Sequence, residues 1–366
     1  MRTNTLLAAA FVVLGTSACR DETTAPFTGS PLRAVTAAPS APSTTAPQDL
    51  GVLGTAAQAF GVSSAGTVVG QFDTPTGEIR AFIWTAKAGI SQLTSPAGSS
   101  QDWAWAVNDA GQAVGFSILP SQNATLWTKG VPYNLGTLAG GAGAAMARGI
   151  NRTGQVVGES SVAGPFGPQG VHAMLWVPAA PNGTTGAMYD LGVLEPDGSS
   201  RAYAVNEAGQ VVGTASAGGA LHAFLWRPSV PNGTVGTMVD LDPGGSYSEA
   251  YGLNDRGDVV GQHAVAGGVG AFIWNAATGI REIGAFSGGS NSAALGVDRL
   301  GRVVGFAISS SGHRRPFVWT SKSGIQDLGT LGGDSGEAWA TNPKGQAVGN
   351  SQTASGQVHA TLWTLP

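Results

Sequence analysis

The side chains able to do chemistry are few and scattered. Five histidines occur, His172, His222, His263, His313 and His359. Three could make a metal site, but His172, His222 and His359 fall in the third, fourth and seventh repeats of the pattern described below, and equivalent positions in non-neighbouring repeats sit far apart, so no metal and no cofactor is expected. Serine and threonine abound, yet a nucleophilic triad also needs a base and an orienting carboxylate, and no such constellation stands out. Asn-x-x-Gly turns invite a calcium reading, because calcium needs several closely set oxygens. The richest of them, Asn254-Asp255-Arg256-Gly257-Asp258, places Arg256 among its acids. The turns are therefore expected to be structural, and the Arg256-Gly257-Asp258 tripeptide to be incidental to its hairpin. Asn123-Ala-Thr, Asn182-Gly-Thr and Asn232-Gly-Thr match glycosylation acceptors, and are expected to be incidental behind a bacterial-type leader.

These residues sit in a repeating pattern. The clearest copy is AYAVNEAGQVVG (202–213), then HAFLW (222–226), then MVDL (238–241). Its tryptophan recurs at Trp84, Trp127, Trp176, Trp226, Trp274, Trp319 and Trp363, at spacings of 43 to 50 residues. The glycine after Val-Val, or after Ala-Val in two copies, recurs at Gly70, Gly115, Gly158, Gly213, Gly261, Gly305 and Gly349. Two markers with the same sevenfold count define a repeat protein.

Each repeat reads as four short strands, a to d, rich in Val, Phe and Trp and bounded by Gly, Ser and Pro. Asn-x-x-Gly joins a to b, since Asn can bond its own turn backbone and Gly takes positive φ at little cost. A four-stranded unit of this length suits a propeller blade. The repeat region starts on a strand d (49–54) and stops just after a strand c (360–363). Pairing the two closes a ring and removes exposed edges. The expected fold is all-β, a seven-bladed β-propeller over 49–366 closed by strand 49–54. Strand a is expected innermost, with its small residues (Ala59/Gly61, Ala104/Ala106, Ala202/Ala204, Ala250/Gly252, Ala294/Gly296, Ala338/Ala340) facing the axis. The strand c aromatics are expected between blades.

Asp-Leu-Gly-Thr-Leu-Gly-Gly (327–333), Asn-x-x-Gly-Gln-Val-Val-Gly and His-Ala-Phe-Leu-Trp resemble the HAF family of probable extracellular repeats, over about residues 49–364. The resemblance implies an extracellular place and a repeat architecture, and no particular reaction. The motif His survives only at His172, His222 and His359; Arg80, Asn123, Gly270 and Arg315 stand there in other repeats.

Composition narrows the class. Gly contributes 57 residues and charged residues only 11%, with net charge −4. Disordered polyelectrolytes and coiled coils need far more charge, and nothing marks a nucleic-acid surface. Arg2, the apolar run 6–14 and Thr16-Ser17-Ala18 form an expected signal peptide (1–18), too short to span a bilayer. Cys19, the single cysteine, follows it as in a lipobox and is expected to carry lipid. Residues 19–48 read as a Pro/Ser/Thr-rich disordered tether. The expected location is the bacterial envelope or surface, with membrane contact through the N-terminal lipid alone, as a monomer.

One position exceeds this background. The second residue of strand a is Phe60, Trp105, Arg148, Tyr203, Tyr251, Leu295 and Trp339 in turn. It is expected near the face bearing the b–c and d–a loops, which add Asp102, Arg201, Glu249, Glu337, Arg314 and Arg315. These aromatics either fill inter-blade space or, beside the charged groups, grip a sugar or peptide. The function expected is non-catalytic: a surface-anchored binding or scaffold module for a glycan or protein through Phe60, Trp105, Arg148, Tyr203, Tyr251, Trp339, Glu249 and Glu337. The alternatives are a polysaccharide-acting propeller enzyme and a structural envelope protein. The ground against an enzyme is that the axis-facing positions are Ala, Gly and Ser.

Overall fold

Among residues 46–138, 143–164 and 167–366, which the computed structural model describes, every regular element is a strand. The leader, Cys19 and the tether up to residue 45 lie outside the described residues. Seven antiparallel four-stranded sheets form. Blade one is Ala56–Val62, Val68–Asp73, Ile79–Thr85 and Gly89–Gln92. Blades two to six start from inner strands Asp102–Val107, Ala145–Ile150, Ser200–Val205, Ser248–Leu253 and Ser292–Val297. Inner strands touch those of both neighbouring blades all the way round, the seventh meeting the first. They therefore enclose a central channel.

The seventh blade consists of Gly332–Thr341, Gln346–Thr353 and Val358–Thr364, completed by Gln48–Gly51 from the other end of the chain. Gln48 pairs with Leu362 and Asp49 with Thr361, and Leu50 packs with Leu362 in one core cluster. The closing strand is shorter than the expected 49–54, because Gly51 turns to φ +88° and ends it.

Strand c explains the HAFLW run. Alternate residues of a strand point to opposite faces, and here both faces are buried. Ala173 and Leu175 pack forward on Ala202, Val211, Phe224 and Trp226 of the next blade. Met174 and Trp176 pack back on Val114, Ala124, Leu126 and Leu135 of the previous one. A strand covered on both sides loses the polar half of its alternation.

The Asn of Asn-x-x-Gly-Gln does more than turn the chain. Asn206 Oδ1 accepts from the Ala208 and Gln210 amides, and Gly209 takes φ +78° between them. Its Nδ2 donates to Gln210 Oε1 at 2.8 Å and to the Asn254 carbonyl of the next blade at 3.2 Å. The same inter-blade bond runs from Asn108 to Asn151, Asn151 to Asn206, Asn254 to Asp298 and, across the closure, Asn342 to Ser63, at 2.9 to 3.2 Å. Asp298 and Ser63, which stand for Asn at the other two junctions, lack an amide to donate. A hydrogen-bonded belt thus rings one mouth of the channel.

The motif histidines are also accounted for. His172, His222 and His359 each bond, through Nδ1, the strand d aspartate of their own blade: Asp190, Asp240 and Asp49, all at 2.8 Å. They sit in strand c. The third pair joins residues 310 apart and bridges the closure. Where Arg315 replaces His, it holds Asp327 at 2.9 Å.

Candidate active site

The glycine after Val-Val builds the site. At every inner strand the register with strand b shifts by one residue, between Ala59/Gly61, Ala104/Ala106, Ala147/Gly149, Ala202/Ala204, Ala250/Gly252, Ala294/Gly296 and Ala338/Ala340. A β-bulge leaves one residue unpaired and re-aims its side chain. The backbone opposite is pressed so close that a Cβ at any of the seven Gly positions would lie 1.8 to 2.0 Å from a strand a carbonyl oxygen. Only Gly fits there.

The unpaired residues are the seven variable ones. Their side chains meet in the channel. Phe60 lies 4.3 Å from Trp105 and 5.5 Å from Trp339, centroid to centroid. The Arg148 guanidinium sits 5.3 Å from the Trp105 ring and 5.8 Å from Tyr203. Tyr203 is 5.5 Å from Tyr251, and Tyr251 and Trp339 both pack at Leu295. This corrects the expectation for the axis. The small residues face the neighbouring inner strand instead; a Cβ on Gly61 would reach the Trp105 carbonyl oxygen at 2.7 Å. The large bulged residues take the axis, and the end of the channel on their b–c loop side is the funnel, with these residues as its floor.

The next tier toward the b–c and d–a loops carries the charge. It is made by the residue preceding the bulge and its strand b partner. Glu249 and Gln262 pair in this way, and so do Met146 and Glu159, and Glu337 and Asn350. Glu249 Oε2 accepts from the Tyr247 phenol at 2.9 Å, from the Tyr251 phenol, and from Gln262 Nε2 at 3.2 Å. Gln262 Nε2 also donates to Tyr247 Oη at 2.6 Å. Glu159, 5% exposed, sits between Arg148 at 3.2 Å and Arg201 at 3.3 Å. Arg314 bonds Glu337 and lies 4.5 Å from the Phe306 ring, and Trp339 Nε1 donates to Asn350 at 3.0 Å. Burial, and next the Glu249 charge, push the Tyr203, Tyr247 and Tyr251 phenols up from their ordinary range. At neutral pH they stay protonated donors. The opposite arc is apolar: Trp103 stacks on Phe116 at 4.3 Å near Phe60, Ile79 and Ile118.

All eight candidate residues, Phe60, Trp105, Arg148, Tyr203, Tyr251, Trp339, Glu249 and Glu337, converge on the channel. Asp102 does not act with them. It is buried and bonds Ser95 at 2.5 Å, Ser99 at 2.7 Å and Arg80 at 3.4 Å, fixing the junction of blades one and two. Sequence reasoning missed Glu159, Gln262 and Tyr247. The first two each follow the marker glycine directly, so a hairpin register drawn through that glycine would have found them. Among the described residues, no three His, Cys, Asp or Glu side chains gather as metal ligands.

A seven-bladed propeller with an acid–base cluster at its axis is the class that fold and site define. No protein-family model matches the chain, and no curated protein matches it significantly. Solved structures do. A puromycin hydrolase, the S511A mutant complexed with PGG, matches with TM-score 0.58 and 12% identity over 83% of this chain and 53% of its own. A puromycin-hydrolyzing peptidase of Mycobacterium tuberculosis matches with TM-score 0.52 and 13% identity, over 90% and 57%. The virginiamycin B lyase of Staphylococcus aureus matches with TM-score 0.50 and 11% identity, over 83% and 94%. The likeness is one of fold, and the chain spans little more than half the length of the two hydrolytic proteins.

The expectation of a non-catalytic binding or scaffold module is corrected here. The propellers that this fold resembles include parts of a hydrolase and a peptidase and nearly the whole of a lyase. The ground for excluding an enzyme, an axis lined by Ala, Gly and Ser, fails as well, since bulging brings carboxylates, guanidinium groups and phenols there.

Proposed function

We propose that this protein is an enzyme that cleaves polysaccharide in the funnel. The observation that carries this reading is one channel with two unlike arcs. Trp105 and Trp339, half-buried around the buried Phe60, offer aromatic surface, on which the apolar faces of sugar rings stack. Beside them stand Glu159 and Glu249 with Arg148, Arg201, Tyr203 and Tyr251, groups that can move protons and hold developing charge. Two carboxylates flanking the bond are the usual equipment for glycoside cleavage. Arg148, Arg201 and Arg314 balance Glu159, Glu249 and Glu337, so the funnel as a whole is neutral and suits an uncharged glycan. That enzymes are found among propellers of similar shape supports the reading. Hydrolysis of puromycin or peptides is not carried over, because nearly half of the hydrolase and of the peptidase lies beyond the match. Export, with lipid on Cys19, would put the funnel where polysaccharide is met; membrane retention of Cys19→Ser would count against that anchor.

The test is release of reducing ends from a panel of neutral and acidic polysaccharides by the full chain. Release from a neutral polymer is expected, with a loss of about 10²-fold or more in Glu249→Gln and none in Asp334→Asn, a change at an exposed carboxylate near the start of the strand Gly332–Thr341. No release from any polymer would defeat the proposal. Release from acidic polymers alone would defeat the charge argument.

A further inference from the structure

The three carboxylates of the funnel are held differently. Glu159 and Glu337 are paired with arginines. Glu249 is held by neutral donors, the Tyr247 and Tyr251 phenols and the Gln262 amide, and all three aim at the same oxygen, Oε2. An oxygen with three donors on it has little freedom to attack a substrate. It is well placed to take a proton from one of them.

We propose that Tyr251 is the nucleophile of glycoside cleavage, with Glu249 as its base, an inference that rests on the reading of the funnel as a polysaccharide-cleaving site. Tyr251 is the bulged residue of blade five, beside the Tyr203 ring and Leu295 in the funnel floor. Tyr247 lies on the d–a loop behind the carboxylate and is further bound by Gln262, which makes it a positioning residue.

The step balances as follows. Tyr251 Oη attacks the anomeric carbon while its proton passes to Glu249 Oε2. The glycosidic C–O bond breaks, and its electron pair leaves on the aglycone oxygen, which takes the Tyr203 proton. Burial and the Glu249 charge hold that proton on in the resting site; transfer of the Tyr251 proton to Glu249 removes the second of these, and Arg148, 5.8 Å from the Tyr203 ring, faces the phenolate so formed. Water then attacks the anomeric carbon and returns a proton to Tyr203. Tyr251 Oη departs and regains its own proton from Glu249. Water is consumed, no redox change occurs, and the anomeric configuration is retained through two displacements.

The charge economy favours this division of labour. Burial and the Glu249 charge hold the Tyr251 phenol well above its ordinary range, so a free phenolate beside an ionised Glu249 is disfavoured. Passing the proton to Glu249 as Tyr251 bonds to the sugar leaves the pair neutral, and the one negative charge of the step stands on Tyr203 until water returns its proton. A tyrosine nucleophile is an established exception among glycosidases.

The experiment exposes the full chain to fluorinated glycosyl fluorides of gluco, galacto, manno and xylo configuration and maps adducts by peptide mass spectrometry. Turnover of the matching para-nitrophenyl glycosides is followed in parallel. The expected result is one adduct, on Tyr251. Tyr251→Phe should take no label and lose turnover by at least about 100-fold with its melting temperature kept, while Tyr247→Phe should still be labelled. An adduct on Glu249 overturns the assignment and leaves the polysaccharide reading standing. Turnover with no adduct overturns the covalent step alone. Neither adduct nor turnover overturns both.

Discussion

Replacing Gly261 with alanine would place a methyl group 1.9 Å from the Glu249 carbonyl oxygen and 2.9 Å from its carbonyl carbon, with Phe272 Cε1 also at 2.9 Å. The Phe272 ring can give way. The carbonyl cannot, because it belongs to the backbone of the bulge that presents Tyr251. Overpacking of this kind costs about 1–3 kcal/mol, and backbone collisions stand at the upper end. Alanine regains about 0.5–1 kcal/mol of chain entropy over glycine in a strand. The net expected loss is therefore about 2 kcal/mol. Gly170→Ala is the matched control, as its Cβ would meet Val162 Cγ2 at an ordinary 3.7 Å; it should be neutral or slightly stabilising. Urea unfolding, read by tryptophan fluorescence, measures both. Any release of reducing ends should fall in Gly261→Ala beyond what the unfolded fraction explains, since Glu249 and Tyr251 move with the bulge. Equal unfolding midpoints for the two variants would refute the claim that the marker glycine exists to admit the bulge.

Three further outcomes follow from the same geometry. Ser63→Asn supplies the amide missing at the junction with blade two and should raise stability by about 1 kcal/mol, whereas Asn342→Ala should lower it by about 1–3 kcal/mol through the unpaired Ser63 carbonyl; denaturation midpoints that do not move in opposite directions would count against the belt. Removing residues 48–53 takes away the outer strand of blade seven and the His359–Asp49 bond, so its melting temperature should drop well below that of a chain lacking 20–45, and equal values would argue against ring closure as a source of stability. Folding raises the Tyr203, Tyr247 and Tyr251 phenols above their unfolded value; stability from them is full below about pH 10 and falls as pH rises beyond it, where the unfolded chain releases its protons first. Tyr251→Phe should flatten that alkaline decline, and an unchanged slope between pH 10 and 12 would show that the phenol is not buried as described.

The ring was legible in the sequence from seven tryptophans, seven glycines and a last repeat without its fourth strand. These are local signals. A strand buried on both faces must be apolar along its length, as HAFLW is, and a hairpin needs Gly209 and its equivalents where φ turns positive. The variable residues of strand a were legible as candidates for the same reason: a position that changes type while its neighbours remain small is visible in one chain. Their surroundings were not. The marker glycine was a landmark in the sequence, and its reason, a carbonyl under 2.1 Å from any Cβ, exists only once strands a and b pair out of register.

The amino-acid sequence alone thus determined the number of blades, the closure and the residues of the funnel floor, because repeat length, strand patterning and turn chemistry are written within a few tens of residues. Only the tertiary structure decided which way those residues face, that Glu159, Gln262 and Tyr247 join them, and that Asn206 bonds a carbonyl 48 residues away. A one-residue slip in pairing moves a side chain from one face of a strand to the other, and contacts between blades depend on where the ring brings distant backbones together. Neither the slip nor that approach is a property of any short stretch of chain.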